Sequence, residues 1–187
     1  ATTFSAAVGA TTALASLTTN AGGSTSVKSV TTTGTQSYND SLTTNGTYTT
    51  TNALFTAAST TTLAGATTVS TGSGGATFTG VVDGGNALAV NTTGATTFSA
   101  AVGATTALAS LSTDAGGTTA INGGVVTTTG AQSYGDAVTL GAATTITGVG
   151  NTFSGPVDGA QTLSVVDSGA TTFSAAVGAT TALASLT

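Results

Sequence analysis

Apolar and hydroxyl-bearing positions alternate along most of the chain. Phe4, Ala6 and Val8 interleave with Thr3, Ser5 and Ala7, a period of two that sends the two sets to opposite sides of an extended strand. Leu14 and Leu17 carry the next apolar stretch, after Gly9-Ala10-Thr11. Strands of about five residues are predicted to recur to the end of the chain. Bends are predicted at Asn20-Ala21-Gly22-Gly23, Asn39-Asp40, Asn45-Gly46, Asp83-Gly84-Gly85, Asn122-Gly123-Gly124 and Asp158-Gly159, residues that tolerate positive φ. Dense β-branched Thr and Val, with Gly every few residues, argue against helix. The only proline, Pro156, lies beside one of these bends.

The pattern is itself repeated. ATTFSAAVGATTALASL occurs without change at 1–17, 95–111 and 170–186, so its copies are offset by 94 and then by 75. The stretch 75–94 matches 150–169 at the offset of 75, and 31–40 matches 127–136 at 96. The first unit therefore carries about nineteen extra residues, roughly 43–61, best read as one whole structural turn. Aromatic spacing agrees: Phe78 to Phe98 is a step of 20, as is Phe153 to Phe173, and Tyr134 to Phe153 is a step of 19. Phe98 to Tyr134, a step of 36, reads as two further steps of 18. On this reading the units 1–94 and 95–169 hold five and four turns, and 170–187 is a partial third.

A turn of about nineteen residues is too short for helical repeat families. It suits three short strands and three bends, one coil of a right-handed parallel β-helix. The expected fold is thus all-β: a single continuous β-solenoid over 1–187, with about ten coils of about nineteen residues spaced about 4.8 Å apart. Phe78 should stack on Phe98, and Tyr134 on Phe153 on Phe173. One coil cannot bury its own inner face, so stability must come from stacked neighbours.

Composition narrows the function classes. Charged residues are 4 % of the chain, six Asp against the single Lys28, for a net charge of −5. A phosphate-tracking nucleic-acid binder needs clustered Lys and Arg, so no nucleic-acid partner is expected. Thr and Gly interrupt every apolar stretch before the length of a membrane span, so no membrane insertion of this segment is expected. There is no Cys, which removes disulfides and thiolate metal sites.

The units GATTFSAAVGATTALASL, TTTGAQSYGDAVTL and NTFSGPVDGAQTLSV, with turns such as Asn20-Ala21-Gly22-Gly23 and Asp114-Ala115-Gly116-Gly117, resemble the β-strand repeats of large secreted bacterial exoproteins. The group resembled is that of filamentous haemagglutinin and the autotransporter adhesins, and the resemblance covers essentially the whole chain. It implies a parallel β-helix stalk on, or released from, the surface of a Gram-negative bacterium.

The candidate chemistry is sparse. Asp40 and Asp136 are repeat equivalents, as are Asp83 and Asp158; Asp114 corresponds to Asn20 and Asp167 to Thr92. An Asp that exchanges with Asn beside Gly behaves as a turn residue. General acid–base work needs a positioned partner, and the chain has no His, Glu, Cys or Arg. No catalytic, cofactor-binding or metal-binding residue is assigned, no cofactor is expected, and the protein is not expected to be an enzyme. Neighbouring Asp136 and Asp158 give only a weak cation signal. Asn39, Asn45 and Asn91 head glycosylation sequons that a Thr-rich chain produces by chance. Thr31/Thr33, Thr60/Thr62, Thr127/Thr129 and Thr145/Thr147 have the Thr-x-Thr form of ice-binding faces but do not recur at one position of every repeat. The expected function is structural or adhesive: an extracellular segment of a large bacterial surface protein or fibre, self-associating end to end or side by side, with a host-surface or glycan receptor as a candidate partner. The alternative is an ice- or glycan-binding module using a Thr-rich face. The two ends repeat the same letters without caps, and the segment is expected to lie inside a longer rod.

Overall fold

Strand Thr2–Phe4 pairs in parallel with Ser24–Val27, which pairs with the start of Ser41–Thr49, and the same relation continues along the chain. All pairing is parallel and there is no helix, so no helix is long and apolar enough to cross a membrane. The computed structural model describes residues 1–187. It is a parallel β-solenoid of about nine turns. At about 4.8 Å per turn the rod is about 43 Å long.

The cross-section has three faces. The first carries Thr2–Phe4, Ser24–Val27, 41–44, 61–63, Val82–Asp83, Val102, Val125–Thr127, Thr144–Gly148 and Thr162–Asp167. The second carries Val8, Val30–Thr31, 46–49, 67–72, Ala87–Thr92, Ser110–Thr113, Gln132–Tyr134, Thr152–Phe153 and Thr172–Phe173. The third runs from Leu17–Thr19 through Gln36–Tyr38, Phe55–Ala57, Ala76–Phe78, Ala95–Phe98, Thr118–Ile121 and Ala137–Leu140 to Val157–Asp158 and Val177. Ser41–Thr49 and Thr61–Gly72 run unbroken from the first face to the second, which joins the early part of the first face and the second face into one eleven-stranded sheet; Val125–Thr127, Thr144–Gly148, Thr162–Asp167 and Ser185–Leu186 form a separate four-stranded sheet.

Turn length varies. The shortest turn takes Thr25 to its register partner Leu42, and the longest takes Val102 to Val126. The extra segment is one turn, as its length predicts: Leu42 pairs with Thr61, Thr43 with Thr62 and Thr44 with Leu63. The division of the units into five and four whole turns is not what the structure shows. Turns that contain a complete copy of the invariant peptide are longer than the aromatic spacing implies, with Thr2 in register only with Thr25, and Thr96 only with Thr119. Phe98 lies on the third face and Tyr134 on the second, so the chain between them makes one and two-thirds turns. The offset of 75 is accordingly three and two-thirds turns, and that of 94 is four and two-thirds.

The identical peptide therefore lies in three settings. Phe4 is on the first face, Phe98 on the third and Phe173 on the second. Each copy then places its Val, namely Val8, Val102 or Val177, on the next face round. The ends of the chain share a sequence phase but differ in orientation about the axis by a third of a turn.

Inside, 27 buried apolar side chains form one continuous cluster from Val27 to Leu163. The predicted aromatic stacks are present: Phe78 on Phe98 at 5.4 Å between ring centroids, and Tyr134 on Phe153 at 4.9 Å. Strand alternation also puts many Thr inward. Several of these hydroxyls satisfy the carbonyls of an adjacent bend: Thr32 donates to Gly34 O (2.6 Å), Thr128 to Gly130 O (2.7 Å) and Thr71 to Gly74 O (2.9 Å). A short polar chain is buried twice. The Tyr38 hydroxyl donates to Gln36 Oε1 (3.1 Å), and Gln36 Nε2 donates to Thr49 O (2.9 Å). Tyr134 and Gln132 repeat the arrangement at 2.7 Å, with Thr147 O as the Gln132 acceptor at 2.9 Å. Burial pushes both phenols far above their ordinary titration range.

Candidate functional site

The carboxylates are distributed along the rod and each is engaged by the chain itself. Asp83 Oδ1 accepts the Thr105 and Thr106 amides, both at 3.0 Å, and Asp158 Oδ1 accepts those of Thr180 and Thr181 at 2.9 and 3.0 Å. Both pairs of amides belong to the invariant peptide, so each Asp clamps the bend of the next turn. The amides hold Asp158 below its usual titration range, Thr181 contributing most and Thr180 next.

Asp40 and Asp136 are buried at corners. Asp40 accepts the Thr19 and Thr25 hydroxyls (2.8 and 3.0 Å). Asp136 accepts the Gly117 amide (2.8 Å) and the Thr119 hydroxyl (3.1 Å). Burial raises the Asp136 carboxyl, opposed by these two hydrogen bonds, and the nearby Asp114 adds to the rise. Asp114 accepts the Thr92 amide at 2.8 Å. Asp167 gathers four donors: the amides of Gly150, Asn151 and Gly169 and the Thr171 hydroxyl, at 2.7 to 3.0 Å. No group of three or more metal-ligating side chains converges anywhere. The sequon residue Asn39 uses its side-chain amide internally, donating to Thr19 O at 2.7 Å.

Hydroxyls line all three faces in columns along the rod. Register aligns Thr3, Ser26, Thr43 and Thr62 on the first face. Thr18, Ser37, Thr56, Thr77 and Thr97 align on the third. The second has Thr47 beside Thr68, and further along Ser112, Ser133, Thr152 and Thr172. Paired columns run side by side only over short stretches: Ser24/Ser26, Ser41/Thr43 and Thr60/Thr62 on the first face, and Thr47/Thr49 with Thr68/Ser70 on the second. Thr145 and Thr147 lie on the first face beside Val125 and Thr127, whereas Thr31 lies on the second face and Thr33 past its end.

One concavity interrupts this surface. It lies where the first face meets the second, has a volume of about 290 Å³, and includes Thr3, Ser26, Lys28, Thr43, Asn45 and Ala64 in its wall. Its origin is a difference in corner length. In a common register two residues, Lys28 and Ser29, separate Val27 from Val30, three separate Thr44 from Tyr48, and five separate Leu63 from Val69. The corner therefore lengthens from turn to turn, and Asn45 and Gly46 lie in the middle one. Gly46 has φ +106°, and a Cβ there would lie 2.5 Å from Lys28 O, so that corner requires glycine. The composition identified Lys28 as the only cation and the repeat located the extra turn; their meeting at one notch was not visible because the corner lengths were not. The chain matches no family model, no curated protein and no solved structure.

Proposed function

We propose that the chain is a structural segment of an extracellular bacterial surface protein or fibre, with an adhesive role, of the kind its repeats resemble. The observation that carries this reading is the occupation of all three faces by one invariant peptide. A catalytic or receptor site needs one arrangement of side chains held in one direction. A rod that presents the same peptide on every side is instead suited to span distance and to pack against neighbours from any side. The near absence of charge agrees, since few charges keep rods apart. The alternative, an ice- or glycan-binding module using a Thr-rich face, is favoured only by paired hydroxyl columns that end after a few turns.

On this reading the partners are further copies of the same fold, stacked end to end or laid side by side, at the cell surface. Electron microscopy of the purified chain tests it, across a range of protein concentration and salt. The expected result is thin fibres or stacked rods whose formation changes little with salt. Monodisperse single rods at high concentration would overturn the proposal.

A further inference from the structure

We propose that the notch around Lys28 binds one anionic sugar unit, a hexuronic acid being the simplest member of the class. This does not rest on the structural reading above, because stacking of turns does not need the notch.

Three departures from the repeat coincide there. Lys28 is the only cation of the chain, and its counterpart in the second unit, by the alignment of Ser24–Val27 with Thr118–Ile121, is Asn122. Thr43 and Asn45 belong to the extra turn that the second unit lacks. The corner between the faces lengthens there, from two residues at Lys28 to three at Asn45 and five at Ala64. A uniform rod would need none of these.

The lining fits the ligand class. Lys28 is exposed, and all six carboxylates are occupied by amides or Thr hydroxyls elsewhere. The one ammonium group is thus left for an external anion. Neighbouring hydroxyls are used inside the chain, with Thr44 donating to Thr62 O and Ser41 accepting from Thr60. The side chains of Thr3, Ser26, Thr43 and Asn45 have no such partner, and they provide donors and acceptors at the spacing of stacked turns. A carboxylate against Lys28 with ring hydroxyls along the Thr3–Ser26–Thr43 row satisfies both. The volume is at the small end of ligand sites, so one ring fits rather than a polymer. With one exposed charge pair and no exposed aromatic platform, binding is weak and salt-sensitive.

The test is an amide-resolved NMR titration of the whole chain with glucuronate, glucose and acetate at low salt. Saturable shifts confined to Thr3, Ser26, Lys28, Thr43 and Asn45 are expected with glucuronate. Glucose and acetate, each offering half of the recognition, should bind about tenfold more weakly or worse. Lys28→Gln, an exposed change, should reduce glucuronate to the level of glucose. Thr43→Val should weaken glucuronate while leaving acetate unchanged. Equal shifts with acetate and glucuronate would identify nonspecific anion attraction only and overturn the proposal, as would glucuronate shifts that survive in Lys28→Gln or no saturable shift at all.

Discussion

Phe153 and Phe173 lie face to face, their ring centroids 4.8 Å apart and their planes 8° from parallel. That separation is the spacing of strands in a sheet, so the rings stack with the backbone and need no adjustment to meet. Tyr134 continues the stack above Phe153 at 4.9 Å. Phe153→Ala removes the middle ring of three and should lower stability by about 3–5 kcal/mol. Phe153→Leu should cost less than half of that. Urea denaturation followed by circular dichroism checks both.

Thr96 and Thr119 are register partners one turn apart, and both are buried. The Thr119 hydroxyl donates to Asp136, whereas the Thr96 hydroxyl has no partner. An unpaired buried hydroxyl is destabilising and a paired one is not. Thr96→Val should therefore raise the melting temperature, by the equivalent of about 1 kcal/mol, and Thr119→Val should lower it.

Removal of residues 43–61 should leave a folded rod one turn shorter, by about 4.8 Å, because Leu42 then continues into Thr62 and Leu63 at the same register position. Removal of only half of the same segment should unfold the neighbouring turns, since it leaves every later strand facing the wrong side. Small-angle scattering and thermal melting of the two deletions distinguish these outcomes.

Acid should act through Asp167 and Asp158. The amides of Asn151 and then Gly150, followed by the Thr171 hydroxyl, hold Asp167 far below the usual carboxylate range. Its stabilisation is present above the unfolded-state value of about 3.9 and is lost as pH falls below that value towards the depressed folded one. Asp158 has the same sign, lowered by the Thr181 and Thr180 amides. Asp136 has the opposite sign, because burial raises it: its contribution improves as pH falls through the raised value. Melting curves across pH should show Asp167→Asn less stable than the parent at neutral pH and less sensitive to strong acid. Asp136→Asn should abolish any gain on mild acidification.

The period-two alternation of Phe4, Ala6 and Val8 and the spacing of Phe153 and Phe173 were enough to read parallel coils from the sequence, because both follow from strand geometry alone. The one-turn nature of the extra segment was legible for the same reason. The length of the turns around the invariant peptide was not. Gly9 to Ser16 loops between Val8 and Leu17 with few large side chains, and nothing in its letters says how far it swings from the axis. That uncertainty of a few residues per turn accumulates, so the one and two-thirds turns between Phe98 and Tyr134 are rounded to two by aromatic spacing alone. The notch was hidden by the same gap, since it depends on how many residues each successive corner takes.

The two-thirds of a turn left over in each unit has a consequence for how such a chain changes length. Joining residue 94 to residue 170 would delete one unit, and the next copy of the invariant peptide would then begin on the third face instead of the second. That face already accommodates the same peptide in the parent, so the shortened rod would close without a new corner. Gain of a unit would rotate the remainder of the rod by the same step in reverse. Unit number therefore sets two properties at once: how far the rod reaches, and in which of three directions anything carried at its far end points.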